Sequence, residues 1–323
     1  MNSSLPTANC QLPTILVTGG AGFIGSNLVD ALIEDGREVA VVDDLSTGLK
    51  ENVNPKAKFF KADICSYPDL KSIFNEFRPE AVYHLAAQAS VVKSVEDPKK
   101  DIQVNVIGTI NLIRLALESE VKKFIFSSTG GAIYGDGAPR PTPESAKEEP
   151  ASPYGLDKLL AEKYLDYFKK LGNIQTLILR YANVFGPRQN PHGEAGVIAI
   201  FTAKMLRGEP VEVWGDGEQI RDYVYVGDVI RANLEALKFN GSGIYNIGTG
   251  VETSVNHLAE MLSRATGSKS EIKHTEPKES EQRASSLNTQ KIYQDFGWKP
   301  EVDLEGGIKR TIEWFNRNLK IKD

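Results

Sequence analysis

The stretch TILVTGGAGFIGSNLVDALIEDG, at Thr14–Gly36, decides the fold. An apolar run of strand length, Thr14–Thr18, leads directly into a glycine-rich turn, after which apolar residues recur with helical spacing. Gly36 suits the position that ends such a helix, and Glu38–Val42 then reads as a second apolar strand. The order strand, glycine turn, helix, strand predicts one βαβ unit.

Apolar and amphipathic segments continue to alternate as far as about residue 185. Further strands are predicted at Lys58–Ala62, Ala81–Leu85, Lys123–Ser127 and Gln175–Tyr181, and helices at Tyr67–Phe77, Val104–Glu118 and Pro153–Leu171. Such alternation indicates a parallel sheet that is covered by helices on both faces and wound by right-handed crossovers. We therefore expect an α/β fold built on a doubly wound parallel Rossmann sheet.

The sequence beyond residue 186 loses this regular alternation. Two polar loops, Gly186–Gly196 and Thr275–Ser286, carry proline, glycine and charge, and ordered loops of such length are usually functional. We expect residues 1–185 to form a dinucleotide-binding Rossmann domain. Residues 186–323 are expected to form mainly a smaller mixed α/β portion that binds the substrate, with some later segments, around 222–240, returning to the first domain.

Composition and charge favour a small ligand over a polymer. The formal net charge is −5 and no basic block occurs, which argues against nucleic acid and anionic membranes as partners. Met1–Pro13 lacks the apolar core of a signal peptide, and no apolar run is long enough to span a membrane. Cys10 and Cys65 fit no metal or disulfide pattern, and the scattered histidines predict no metal site. We expect a reduced, cytoplasmic protein.

The glycine turn has the features of a dinucleotide-binding site. Gly19 permits the tight turn, Gly22 lets the backbone approach a pyrophosphate, and Gly25 allows close packing of helix on strand. The helix begins near Phe23 and Ile24, where its free amide groups and partial positive charge would bind phosphate. The strand, turn and helix around the glycines make this motif more specific than its glycines alone.

Asp43 stands at the end of the next predicted strand. A carboxylate there can accept hydrogen bonds from both ribose hydroxyls of an adenosine, and it would repel a 2′-phosphate. The sequence therefore favours NAD over NADP. Asp63-Ile64, after the following strand, could contact the adenine, although a simple turn aspartate is an equally good interpretation.

The segment SPYGLDK, Ser152–Lys158, carries the strongest chemical signal. Ser152 can cap a helix and Pro153 suits its first turn. Tyr154 and Lys158 then stand one turn apart on the same helix face. Because a lysine ammonium beside a phenol favours the phenolate, we expect a lowered pKa for Tyr154, which could act as a general base.

Three hydroxyl residues, Ser127-Ser128-Thr129, end the predicted strand Lys123–Ser127 at the edge where ligands bind in open sheets. A hydroxyl there could hydrogen-bond a reacting substrate oxygen and relay its proton to Tyr154. The alternative is an ordinary polar strand terminus. The presence of the dinucleotide motif and of Lys158 favours the catalytic interpretation.

These motifs together resemble the extended short-chain dehydrogenase/reductase family and, within it, the UDP-galactose 4-epimerases. The resemblance runs from about Ile15 to the C-terminal helix. Besides Thr129, Tyr154 and Lys158, it rests on the segments Thr18–Ser26, Asp43–Gly48, Leu85–Gln88, Arg180–Arg188 and Arg221–Tyr223.

The resemblance implies a reaction as well as a fold. The implied reaction is the reversible C4 epimerisation of a UDP-hexose, UDP-glucose or UDP-galactose, through a transient 4-keto sugar with tightly bound NAD. Tyr154 would be the general base, and Lys158 its electrostatic partner and ribose anchor. Thr129, with Ser128 beside it, would assist the proton transfer. The hydride chemistry belongs to the cofactor, so the protein's part is binding and orientation.

The same resemblance assigns binding residues and an oligomeric state. The implied NAD contacts are Gly19, Gly22, Phe23, Ile24, Gly25, Asp43, Asp44, Leu45, Ser46, Thr47, Gly48, Asp63, Ile64, Leu85, Ala86, Ala87, Gln88, Asn105, Ser127, Tyr154, Lys158 and Tyr181. The implied UDP-sugar contacts are Ser90, Thr129, Tyr154, Asn183, Val197, Ile198, Val213, Trp214, Arg221, Lys278, Glu281 and Ser285. A homodimer through the helices Val104–Glu118 and Pro153–Leu171 is also implied.

The chain departs from its relatives at three places. Gly130 and Gly131 follow Thr129 where related 4,6-dehydratases need an acidic pair, which argues for an epimerase. Ser285 stands where some relatives carry a tyrosine that limits the space at C2, so UDP-GlcNAc and UDP-GalNAc become candidate substrates. Lys278 replaces a frequent phosphate-binding arginine, and it keeps the charge but loses the bidentate geometry.

Three alternatives stay open at the level of sequence. The first is a UDP-glucuronate epimerase or decarboxylase, because recognition of a carboxylate is hard to read from residues alone. The second is a redox enzyme that releases reduced cofactor. The third is a non-catalytic dinucleotide-binding scaffold, which the intact Thr129, Tyr154 and Lys158 disfavour.

Overall fold

The computed structural model describes residues 13–192, 196–277 and 282–318 of the 323-residue chain. The strands within these ranges are β1 (Ile15–Thr18), β2 (Val39–Asp43), β3 (Lys58–Lys61), β4 (Ala81–His84), β5 (Lys123–Thr129), β6 (Gln175–Tyr181), β7 (Asn183–Phe185), β8 (Val211–Trp214), β9 (Ile220–Tyr225), β10 (Gly243–Ile247), β11 (Glu252–Ser254) and β12 (Ile272–Thr275). In that part of the chain, seven strands form one sheet in the order β10-β6-β5-β4-β1-β2-β3, and every neighbouring pair is parallel.

Helices cover both faces of this sheet. They are α1 (Phe23–Glu34), α2 (Tyr67–Phe77), α3 (Val91–Glu96), α4 (Pro98–Ile102), α5 (Gly108–Glu118), α6 (Gly130–Ile133), α7 (Pro153–Phe168), α8 (Val197–Leu206), α9 (Val226–Lys238), α10 (Val255–Thr266), α11 (Gln290–Phe296) and α12 (Leu304–Asn318). Helices α1 and α9 pack together on one face, and α5 contacts α2 and α7 on the other. The predicted α/β class with a doubly wound parallel Rossmann sheet is therefore confirmed.

Strand β1 shows how the sequence fills two cores. Side chains alternate across a strand, so Ile15 and Val17 join the core under α1 and α9, and Leu16 joins the core on the other face. All three are fully buried. A strand buried on both faces must be apolar throughout, which explains why it appears as a continuous hydrophobic run in the sequence.

The direction of winding reverses between β1 and β4. The strands β2 and β3 lie on one side of β1, and β4, β5, β6 and β10 lie on the other. The carboxyl ends of β1 and β4 are therefore the edge at which an open α/β sheet offers a crevice to a ligand.

The helix predicted at Val104–Glu118 is wrong in its start and its regularity. The helical segment begins earlier, at Pro98, and one π-helical turn at Gln103–Ile107 separates α4 from α5. A π turn shifts the helix face by a fraction of a turn, which a search for a regular period does not detect. Helix α7 ends at Phe168 rather than at Leu171, because the chain leaves it through a short hydrogen-bonded turn.

The later part of the chain forms two small sheets and also adds to the large one. Strands β11, β9 and β7 form one small sheet, and β12 pairs with β8. Helix α9 and strand β10 return to the large sheet, where β10 is the edge strand beside β6. In the ranges that the structure describes, no helix has the length and apolar character needed to cross a bilayer.

Candidate active site

A cavity of about 920 Å³ lies at the carboxyl edge of the sheet. One side is formed by the ends of β4 and β5 and the start of α7, where Thr129, Tyr154 and Lys158 line it. The opposite side comes from the later part of the chain, including Trp214 and Arg221. The cavity is large enough for a small ligand of several rings.

The glycine turn between β1 and α1 has no room for side chains. Gly19 has a φ of +71°, and a Cβ there would lie 2.6 Å from the amide nitrogen of Ala86. A Cβ on Gly25 would lie 2.1 Å from the carbonyl oxygen of Gly19. Because Gly19 and Gly25 have no side chains, the start of α1 can pack against the ends of β1 and β4.

The N-terminus of α1 is open to an anion. Among the residues that the structure describes, no side chain caps it; its first turn contains no acidic residue, and Phe23 and Ile24 line the cavity. The amide groups and the positive end of the helix dipole are therefore directed toward ligand space. This arrangement fits the pyrophosphate of a dinucleotide.

Asp43 ends β2 beside this turn. Its carboxylate accepts hydrogen bonds from the backbone amides of Ala21 and Leu45, both at 2.9 Å. Burial raises the pKa of Asp43, and the two amide hydrogen bonds oppose that rise. Because Leu45 has a φ of +63°, the chain folds back, and Leu49 donates to the carbonyl of Ala21. The segment that holds Asp44, Ser46, Thr47 and Gly48 thereby covers the glycine turn.

Most of the remaining predicted NAD contacts fall into three groups. Leu85, Ala87, Ser127 and Tyr181 line the cavity itself. Asp63 instead accepts a hydrogen bond from the amide of Cys65, and the carbonyl of Ile64 accepts one from Asn111, so both hold a turn. Gln88 and Asn105 bond each other through backbone and side-chain groups at 2.9 and 3.1 Å.

Helix α7 is held so that Tyr154 reaches the cavity. The Ser152 hydroxyl accepts a hydrogen bond from the amide of Gly155 at 3.2 Å, as an N-cap does. A Cβ on Gly155 would lie 2.4 Å from the carbonyl oxygen of Ala132, so α7 approaches α6 closely. Tyr154 and Thr129 are joined by a side-chain hydrogen bond. The structure thus brings together the hydroxyl and phenol that the sequence singles out.

The predicted lowering of the Tyr154 pKa is wrong for the protein alone. Burial and the charge of Asp101 raise the pKa of Tyr154 to about 12, and the hydrogen bond to Thr129 opposes this rise only in part. Burial lowers the pKa of Lys158 to about 7, against the opposing charges of Glu162 and Asp101. The lysine nitrogen lies 4.2 Å from the ring centre of Phe126. Both groups are therefore strongly perturbed, as is common at functional sites.

Ser128 is separated from Thr129 by the alternation of the strand. Its hydroxyl donates to the Glu162 carboxylate at 2.5 Å on the far side of β5. Glu162 also receives hydrogen bonds from Arg180 at 2.6 and 3.0 Å, and all three residues are buried. This cluster, which we call the arginine cluster, contains Ser128, Glu162, Arg180, Tyr134 and Glu148. The expectation that Ser128 relays a proton is therefore corrected, since its hydroxyl serves this cluster.

The predicted substrate residues lie mostly on the opposite wall. Ser90, Asn183, Val197, Ile198, Val213, Trp214 and Arg221 all line the cavity. Ser285 is buried behind this wall, where its amide donates to the carbonyl of Ile220, the residue before Arg221. Lys278 and Glu281 lie outside the described residues.

Sequence reasoning missed two acidic residues under the site. Asp101 and Asp157 are buried, and their side chains lie within hydrogen-bonding range of each other. Asp157 lies between Tyr154 and Lys158 in the same helical turn, a position that could have drawn attention to it. Asp101 lies in α4, outside any recognised motif, so only the fold brings it near.

Comparison with known proteins gives a consistent result over nearly the whole chain. The profile of the NAD dependent epimerase/dehydratase family matches residues 15–248. The chain is 44% identical to UDP-glucose 4-epimerase of Mycolicibacterium smegmatis, over 93% of this chain and 97% of that protein. It superposes with a TM-score of 0.94 on a UDP-glucose 4-epimerase of Thermotoga maritima with UDP-glucose, at 50% identity, covering 95% and 100% of the two chains. The UDP-glucose 4-epimerase of Thermus thermophilus in complex with NAD gives a TM-score of 0.91 at 42% identity, covering 95% and 100%.

Proposed function

Because this chain belongs to the NAD dependent epimerase/dehydratase family, we propose that it catalyses the reversible C4 epimerisation of a UDP-hexose, namely UDP-glucose and UDP-galactose. The observation that carries the proposal is that Thr129, Tyr154 and Arg221 line one and the same cavity. NAD is the cofactor, and the open start of α1 and the carboxylate of Asp43 fit its pyrophosphate and ribose.

The chain's own residues move a proton and hold the sugar. Tyr154, as the phenolate, accepts the proton of the C4 hydroxyl, and Thr129, whose side chain lies beside the phenol, would orient that hydroxyl by hydrogen-bonding it. When bound, NAD would be held by the start of α1, Asp43 and Lys158, and it would supply hydride chemistry at C4 and a positive charge near the phenol. After the 4-keto sugar has turned in the cavity, Tyr154 gives the proton back, so acid and base balance over one cycle.

The high pKa of Tyr154 in the protein alone has a functional meaning under this proposal. Burial holds the pKa of Tyr154 high, and a positive charge beside the phenol would lower that pKa and favour the phenolate. Lys158, with its ammonium in an apolar setting, would support the phenolate and bind ribose hydroxyls when charged. Asn183 and Arg221, on the opposite wall, would hold the diphosphate.

The residues after Thr129 support epimerisation over dehydration. A Cβ on Gly130 would lie 2.4 Å from a methyl carbon of Leu287, so an acidic side chain there would have to displace Leu287. Gly131 has more space, since its nearest neighbours to a Cβ are 3.8 and 3.9 Å away. The pair thus leaves Thr129 without an acidic neighbour in sequence that could expel water from the sugar.

The same proposal extends to the substituent at C2 of the sugar and to the oligomeric state of the protein. Ser285 is small, which supports the binding of N-acetylated UDP-hexoses as well. A homodimer is supported by an apolar surface on adjacent helices and the π turn, formed by Val95, Ile102, Ile107, Leu156, Tyr164 and Tyr167. Sedimentation should then give twice the monomer mass. A cytoplasmic location stays a prediction.

The proposal is tested by proton NMR of the purified protein with UDP-galactose and, separately, with UDP-GalNAc, without added cofactor. Conversion to the matching 4-epimer is expected, because bound NAD is regenerated in each cycle. No conversion, even with added NAD, would refute the reaction, and UDP-glucuronate would be the next substrate to examine. Accumulation of reduced cofactor in step with turnover would point instead to a redox enzyme.

A further inference from the structure

Two carboxyl groups meet beneath the catalytic turn of α7. Asp101 of α4 is fully buried and Asp157 of α7 is 4% exposed. Their side chains lie within hydrogen-bonding range of each other, and helices α4 and α7 are in contact. One oxygen of Asp101, Oδ1, accepts a hydrogen bond from the side-chain amide (Nε2) of Gln88 at 2.6 Å.

A hydrogen bond between two carboxyl groups requires a proton. An ionised carboxylate has only acceptor sites, so one of the two residues must be protonated for the contact to form. The other oxygen of Asp101, Oδ2, is buried and accepts no hydrogen bond from an amide or hydroxyl group of the described residues. A carboxylic acid on Asp157 would supply the missing donor.

The pair lies close enough to the catalytic residues to act on both. The negative charge of Asp101 raises the pKa of Tyr154 and that of Lys158. Glu162, one helical turn beyond Lys158, also acts on the lysine. Helices α3, α4 and α5 pack around the pair. Their other charged side chains are exposed to solvent: Lys93, Glu96, Lys99, Lys100, Arg114 and Glu118.

We propose that Asp101 and Asp157 share one proton and act as positioning residues that set the negative charge beneath Tyr154 and Lys158. With the proton in place the pair carries one charge, held on Asp101 and bonded by Gln88 and Asp157. Loss of the proton to solvent places a second charge under the phenol. The kinetic consequence of this proposal, though not the shared proton itself, rests on the proposed function.

The second charge opposes the chemistry of Tyr154. Burial and the charge of Asp101 raise the pKa of Asp157 well above its ordinary value, so the proton is retained to higher pH than in a normal aspartate. Once it is lost, formation of the phenolate on Tyr154 becomes harder, because like charges repel. Asp157→Asn keeps a hydrogen-bond donor to Asp101 but cannot ionise, so the charge of the pair stays at one at every pH.

The experiment is a pH titration by NMR of the NAD-bound protein that carries ¹³C in its aspartate carboxyl and tyrosine ring carbons. The variants are Asp157→Asn and Asp101→Asn, with Asp166→Asn as the control. Asp166 lies on the same helix, but it is exposed and paired with Lys169 and Lys170. Tyr154→Phe assigns the tyrosine signal.

We expect one aspartate of the wild type to titrate far above the usual value of about 4, and this transition to be absent from Asp157→Asn. The pKa of Tyr154 should fall by roughly 1 unit in Asp157→Asn, at the small end of shifts that a nearby charge causes, and stay unchanged in Asp166→Asn. With UDP-galactose, the ratio of kcat of Asp157→Asn to that of the wild type should rise with pH.

Two results would overturn the proposal. The first is the absence of any high-titrating aspartate in the wild type, a result that does not depend on whether a variant folds. The second is an unchanged Tyr154 pKa in a folded Asp157→Asn or Asp101→Asn protein. An intact carboxyl titration in a protein that converts no UDP-hexose would instead refute the proposed function and leave the shared proton standing.

Discussion

Helix α7 carries buried charge in two regions that differ in how completely it is balanced. In the arginine cluster, Arg180 is wholly buried and its guanidinium is bonded by Glu162, Glu148 and Tyr134. The hydrogen bonds and charge of Glu162 hold the pKa of Arg180 above its ordinary value, so its ionisation is fixed at any physiological pH.

The catalytic region around Tyr154, Lys158, Asp101 and Asp157 is the opposite case. Each of Tyr154, Lys158 and Asp157 has a pKa displaced by burial toward its neutral form, and the Lys158 ammonium lies over an aromatic ring. The balanced charges of the arginine cluster hold the end of β5 in place. The unbalanced groups of the catalytic region can gain or lose a proton during a reaction. The predictions below test this difference.

The largest effect is expected from Tyr154→Phe. Removing the phenol oxygen removes the general base, so kcat should fall by about 10²–10⁴-fold. The fold should persist, because the ring keeps its packing. Steady-state rates with UDP-galactose and a thermal melt measure the two quantities. Near-normal turnover would exclude Tyr154 from its proposed role.

Glu162→Ala should act on stability instead. It leaves the Arg180 guanidinium buried without its bidentate partner, and breaking a buried pair in this way costs about 3–5 kcal/mol. Urea unfolding measures the loss. Glu148→Ala is the matched comparison, because this carboxylate bonds the same guanidinium from a more exposed position, and its loss should be smaller. Equal losses of unfolding free energy in the two variants would contradict the conclusion that Glu162 is the main charge partner of Arg180.

Lys158→Met should make the protein more stable and less active. The folded-state pKa of Lys158 is about 7 and its ordinary value is 10.5. Between these values the unfolded chain binds more protons, so wild-type stability rises with pH across this window. The gain in Tm from Lys158→Met should therefore be full at pH 7 and below, and it should vanish as the pH approaches 10.5. Lys163→Met, at an exposed position of the same helix, should show no such gain.

Ser285→Tyr is expected to have the smallest and most selective effect. A tyrosine at position 285, next to Ile220 and Arg221, should narrow the space that this wall leaves for an N-acetyl group, so activity on UDP-GalNAc should fall while activity on UDP-galactose is kept. The ratio of kcat/KM for the two substrates measures this selectivity. A uniform loss on both substrates would show that position 285 does not sense the C2 substituent.

Local sequence patterns were enough to predict most of the large sheet. Gln175–Tyr181 and Tyr67–Phe77 match the structure at both ends, because a buried strand and an amphipathic helix with proline in its first turn each leave a short-range signal. The π turn at Gln103–Ile107 leaves no such signal, since its extra residue breaks the regular helical period.

The candidate site also contains contacts that the sequence could predict and contacts that it could not. Tyr154 and Lys158 share one helical turn, so their spacing was visible in the sequence. The contact of Asp101 with Asp157 spans two elements, and that of Ser128 with Glu162 depends on which face of β5 each side chain takes. Such pairings arise from the packing of elements, which local sequence patterns do not reveal. The relay role that the sequence suggested for Ser128 is therefore corrected by the structure.

The central claim is that one site removes and returns the same hydride, and isotope retention tests it most directly. UDP-galactose carrying deuterium at C4 would be incubated with the purified protein in ordinary water and an excess of unlabelled NAD. The account predicts UDP-glucose with deuterium retained at C4, because the hydride never leaves the site. Loss of deuterium to solvent, or its appearance in the free cofactor, would contradict the account.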